Sequence, residues 1–319
     1  MKYKPLWLGV HTIAWYLLFT GDAEAFGPVT HVHLGCQILG GLSLLAPSLA
    51  ELLRKNSEAY LYGNIAADVI IAKNLAATER HCHNWDVGFS VLEEATNDSQ
   101  RAFAWGYLSH LAADVVAHNY FVPWKLAAGF PARTTGHAYW EIRLDQKAPN
   151  ESWELAQELT RQRFSEHHGL LSRTIEGTIF RFETNVIFFN GMLLVQRMKR
   201  WRSWLDRVDK RSPWVLTPHE ADELHSLAVE AIFDMLTHQR ESLTCKSDPT
   251  GMDNLHLAKK LRTALRRQHS RNPMRTPELE QTLEEIRLHY HQSIYTPTSP
   301  DWWPTNLEKP SRPLRLRQA

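Results

Sequence analysis

The residues whose types and spacing could carry chemistry lie in the first half of the chain. His110, Asp114 and His118 stand four residues apart in the run HLAADVVAH. Positions i, i+4 and i+8 stack along one face of a helix, so two imidazoles and a carboxylate project into the same space. On a helix otherwise built of Ala, Val and Leu, burying them is costly unless they are paired or bound to metal. His137 and Glu141 form another i, i+4 pair, placing a nitrogen ligand beside an oxygen ligand, a mixture that zinc accepts. Asp68 interrupts the apolar run GNIAAD, His81 and His83 follow it, and His31 and His33 precede it. Taken singly, His137 with Glu141 reads as a hydrogen bond on a helix surface, Asp68 as a solvated or capping residue, and His31 with His33 as exposed. Their order and spacing give them meaning together.

The elements that must hold these side chains are helical. Apolar residues recur at helical spacing over Leu34–Arg54, interrupted at Gly40, Gly41 and Pro47, and again over Ala59–Leu75 and Gln100–Ala117. Pro123, Gly129, Pro131 and Gly136 predict a loop, with a further helix starting at His137. Beyond a connector at 147–150, helices are predicted over Glu151–Phe164, Ile175–Trp204, Pro218–Ser242 and Asn254–Arg267, with Thr217 and Pro218 as a cap followed by proline. Alternating strand-like runs are scarce, so the expected class is all-α. The organisation expected is a leader over 1–25, a helical domain over 26–245, a helical extension over 246–294, and an extended or mobile basic, proline-rich tail over 295–319.

Composition narrows the chemistry. With 319 residues, 43% of them hydrophobic, the chain can bury one sizeable core. Lys and Arg number 36 against 35 Asp and Glu, so bulk charge selects no polyanionic partner. Cys36, Cys82 and Cys245 are too few for a disulfide framework and form no C-x-x-C pair, so a metal site must use histidine and carboxylate. The first 25 residues have a secretory layout: basic Lys2 and Lys4, an apolar stretch over Leu6–Phe19, and Ala23-Glu24-Ala25 as a cleavage site. Cleavage there would start the mature chain at Phe26, secreted or periplasmic; an uncleaved leader would anchor it in a membrane.

In order, residue type and spacing, the stretch from Phe26 to Glu141 resembles the zinc-dependent phospholipase C family and the related zinc-dependent single-strand nucleases. The resemblance implies a multi-helix bundle around a trinuclear zinc site. It implies that Asp68, His83, His110 and Asp114 hold one zinc, that His118, His137 and Glu141 hold a second, and that Phe26, His31 and a shared Asp114 hold a third. Phe26 would contribute its backbone amine and carbonyl where the family has Trp, so binding of the third metal would depend on leader cleavage. The four-residue step from Asp114 to His118 is shorter than in the best-known members, which shifts His118 along its helix.

The activity so implied is hydrolysis of a phosphodiester, with Asp68 orienting or deprotonating the attacking water. Glu141, where the nucleases have Asp, points to a phospholipid rather than single-stranded nucleic acid, and the enzyme would touch a membrane peripherally. Trp85, Trp105, Tyr120, Trp124, Tyr139 and Trp140 suit either base stacking or a choline-type cation and do not decide the substrate. A metal-stabilised helical binding protein without catalysis is the remaining class. Its saturated ligand sets would differ from a His-His-Glu set that leaves room for water. Residues beyond about 150 carry no ligand pattern.

Overall fold

A computed structural model describes residues 26–68, 82–131, 140, 143–161, 164–174, 216–297, 299 and 301–309. Among these residues the regular structure is entirely helical, as the periodicity predicts. The leader, the expected helix start at His137 and the expected helix over 175–204 lie outside them.

The fold is organised around one buried helix, α5 (Asp98–Val116), flanked by α1 (Pro28–Gly40), α2 (Pro47–Lys55), α3 (Ser57–Ala66) and α4 (Trp85–Glu93). The Asn97 side chain caps the start of α5 by accepting from the Gln100 N–H, and every side chain from Ala102 to Val116 is buried. A helix apolar on all sides belongs at the centre of a bundle. Gly40 and Pro47 end α1 and begin α2, where the sequence places an interruption.

Close contact between α3 and α5 depends on two glycines. A Cβ on Gly106 would fall into the Tyr60 carbonyl, and one on Gly63 into the Phe103 carbonyl. The backbones therefore touch, which brings the end of α3 to the candidate ligands on α5. Gly106→Ala is expected to force the helices apart and destabilise the protein by about 1–3 kcal/mol. An unchanged thermal midpoint would contradict this packing.

After Val116 the helix widens into a π turn, Ala117–Phe121, and resumes as α6 (Val122–Ala128). Pro123, expected in a loop, instead lies in the first turn of α6, and the helix runs on to Gly129. Proline lacks the N–H of a regular ladder and crowds the turn before it, and the preceding π turn is where the helix departs from that ladder.

The remaining described helices are α7 (Asn150–Arg161), α8 (Ser165–Thr174), α9 (Pro218–His238), α10 (Met252–Arg271) and α11 (Thr276–Gln292). Thr217 and Glu220 form a reciprocal capping box at α9, which packs along α5; α10 packs on α6. Helix α8 and the full length of α11 exceed the sequence reading. The described part of the tail is not extended away from the protein: Trp302 stacks on His289 at 3.7 Å and Leu307 is buried. Among the described residues no helix is long and apolar enough to cross a membrane.

Candidate metal centre

His110 stands at the crossing of α3 and α5. Its Nδ1–H donates to the Asn64 carbonyl at 2.9 Å, which leaves the Nε2 lone pair facing inward. That Nε2 lies 3.0 Å from His83 Nε2 and 3.3 Å from Asp114 Oδ2, one helical turn on. His83, just before α4, places its Nε2 3.1 Å from Asp114 Oδ2, while its Nδ1 lies 3.2 Å from the Cys82 sulfur. Asp68, just beyond α3, brings Oδ1 to 3.5 Å from His83 Nε2 and 3.7 Å from His110 Nε2. His31 on α1 stacks on the His110 ring at 3.8 Å and sets its Nε2 3.3 Å from Asp114 Oδ1.

Five side chains distant in sequence therefore converge, and His31, His83, His110 and Asp114 are each no more than 1% exposed. Two triads, His31 with Asp68 and His110, and His83 with His110 and Asp114, each bring ligand atoms within 4.8 Å of one another. Beyond their approach to each other, the ring nitrogens of His31 and the Asp114 Oδ1 have no hydrogen-bond partner among the described residues. A buried cluster in which two imidazole nitrogens stand 3.0 Å apart, beside carboxylate oxygens, is unfavourable without a cation or proton between them. The donor set of imidazole nitrogen and carboxylate oxygen fits divalent zinc.

His110 also shows the outer contact that metal-binding histidines make, its far nitrogen donating to a backbone carbonyl. His118 repeats this, with Nδ1 donating to the Pro249 carbonyl at 2.6 Å. It lies in the π turn and belongs to neither triad. Phe26 is buried, its ring edge-on to His31 at 5.8 Å. His137 and Glu141 lie outside the described residues; their neighbours Trp140, Arg143 and Leu144 are buried.

Sequence reasoning missed the support for His118. Asn119 donates to the Val115 and Asp248 carbonyls and accepts from Asn254, tying the π turn to residues 248–254. Gly251 has φ +56°, and a Cβ there would strike the His118 carbonyl. The run DPTG was legible as a turn, but nothing local says which helix it meets.

The electrostatics follow from burial. Burial alone would raise the Asp114 pKa, but the neighbouring His110 and His118 charges outweigh it and hold the carboxyl well below the usual range. Burial lowers the His31 pKa, and His110 adds to this. Burial also brings His225, which faces His33, and His289 down to about 4. A histidine lowered in the fold takes up its proton on unfolding. Its stabilisation is thus complete above 6.5 and lost as pH falls toward the folded value. The metal-free protein is therefore expected to lose stability between pH 6.5 and about 4, read as a falling urea midpoint. A flat midpoint across that window would contradict the buried, neutral state of these rings.

A buried set of imidazoles and carboxylates at the centre of an all-helical fold, counted among the described residues, defines the class: a helical protein with a candidate centre for a divalent metal. More particularly, residues 30–186, just under half of the chain, match the family model for zinc dependent phospholipase C. The matched stretch contains every candidate ligand except Phe26. It supports a zinc-dependent hydrolase resembling phospholipase C. No curated protein and no solved structure matches the chain.

Proposed function

We propose that the protein is a zinc-dependent phosphodiesterase whose substrate is a phospholipid headgroup ester. The observation that carries this reading is the Asp114 carboxylate, which stands within 3.3 Å of imidazole nitrogens from three separate segments, His31, His83 and His110. Asp68, His83, His110 and Asp114 would hold one zinc, and His118, His137 and Glu141 a second. Phe26 and His31, with Asp114 shared, would hold a third once the leader is removed before Phe26. Bound zinc would supply acidified water and electrostatic clamping of the phosphate oxygens.

The chain's own residues do the rest. Asn64 and Pro249 fix the proton of His110 and His118 on Nδ1, so that each presents Nε2 as a lone pair. Asp68, at 5% the most exposed of the five converging side chains, would orient the attacking water and accept its proton. The family match favours a lipid, and so does Glu141. On this reading the protein acts outside the cytoplasm and meets the membrane at its surface.

Purified protein is expected to carry zinc and to hydrolyse a chromogenic phosphodiester, with loss on chelation and recovery on adding zinc. Phosphatidylcholine should be cleaved in preference to single-stranded DNA. The reverse preference would make it a nuclease, and zinc without hydrolysis would leave a binding protein.

A further inference from the structure

His31 differs from the other histidines of the centre in what holds it. His110 is braced by the Asn64 carbonyl and His118 by the Pro249 carbonyl, and His83 Nδ1 lies against the Cys82 sulfur. Among the described residues His31 has no such brace from outside the centre: its Nε2 lies 3.3 Å from Asp114 Oδ1 and its ring stacks on His110, both candidate ligands themselves. Apart from these contacts and the edge of the Phe26 ring, its position is set by the backbone of the first turn of α1.

That turn is secured from a distance. The first N–H groups of a helix need acceptors, which the residue just before it usually supplies from its side chain. Here that residue is Gly27, which has no such side chain, and α1 has no acidic residue in its first turn. Asp145, 115 positions along the chain, takes over: its Oδ1 accepts from the Thr30 N–H at 2.9 Å and the Thr30 hydroxyl at 2.7 Å. The carboxylate is 2% exposed, and its Oδ2 has no hydrogen-bond partner among the described residues. A Cβ on Gly27 would collide with it, so a side chain at the usual capping position would displace Asp145. Asp145 also follows His137 and Glu141 at a further four-residue step.

We infer that Asp145 is a positioning residue of the metal centre: it caps α1 from 115 positions along the chain and so fixes His31 relative to the ligands of the other segments. A carboxylate at a helix N-terminus is stabilised by the helix dipole, which favours this pairing over a neutral contact. Burial raises the Asp145 pKa to about 7, and the Thr30 hydrogen bonds pull against that rise. The inference rests on the reading of His31 as a ligand.

The test uses the full chain and titrates zinc and cobalt into metal-free protein, recording thermal midpoints in parallel. Asp145→Ala and Thr30→Val are made in the wild-type and His31→Ala backgrounds, with Asp145→Asn as the conservative variant that keeps an acceptor for Thr30. Asp145→Ala should weaken the His31-dependent metal by roughly 10–100-fold, as loss of an outer partner does. Thr30→Val should weaken it less, and Asp145→Asn should retain most of it. In the His31→Ala background neither Asp145→Ala nor Thr30→Val should weaken metal further, although the midpoint still falls. Unchanged affinity in both variants, or equal losses in both backgrounds, would overturn the positioning role. If Asp145→Ala does not fold, the Thr30→Val pair decides alone. If His31→Ala itself leaves metal binding intact, the reading of His31 as a ligand fails, and the positioning role with it.

Discussion

Asp114→Ala is expected to strip the centre of metal and reduce phosphodiester hydrolysis to background. Asp114 is the only described carboxylate within 3.3 Å of three of the imidazoles, so its loss breaks the link among α1, α5 and the segment before α4. The loss of metal affinity should exceed the roughly 10–100-fold that follows removal of an outer partner. The thermal consequence can be separated from the chemical one. A ligand that binds only the folded state at about 100 times its Kd adds about 2.7 kcal/mol. That metal-dependent rise in midpoint should be present in the wild type and absent in Asp114→Ala. The variant should still be helical, because alanine favours the interior of α5. A folded variant that retained its metal would show that Asp114 is not the shared ligand.

Asp68→Asn should separate binding from turnover. The amide keeps an oxygen where Oδ1 faces His83 and His110, so most metal is expected to remain. It cannot accept a proton from water, and removing a general base costs about 10²–10⁴-fold in rate. Metal content close to wild type with kcat reduced in that range would support the role in water activation. A parallel loss of metal and rate would reduce Asp68 to a ligand.

Much of the centre was legible in advance because its signals are local. The four-residue step from His110 to Asp114 is helical geometry, and it predicts the convergence observed at 3.3 Å. Asp68 and His83 could be read only by their order in the chain, yet they meet the same point, because the touching glycines of α3 and α5 bring Asp68 across. What sequence could not give is pairing between distant segments. Nothing near Pro249 or Gly251 says that they brace His118, and nothing near Asp145 says that it caps α1.

Fold class followed from periodicity, but the course of the chain at Pro123 did not. A proline preceded by a π turn looks, in one dimension, like the start of a loop. Similarly, a tail rich in proline and arginine hides Trp302 and Leu307, whose contacts are with the body of the protein. Single large apolar residues in a polar stretch give no periodicity to detect.

The most direct measurement is anomalous scattering at the zinc edge from crystals of the purified protein. Peaks bounded by His31, Asp68, His83, His110 and Asp114 are the predicted result, with the His83 and His110 Nε2 atoms and an Asp114 oxygen about 2.0–2.2 Å from the ion. A well-ordered map of zinc-supplemented protein with no peak among those side chains would contradict the metal centre on which the proposed function depends.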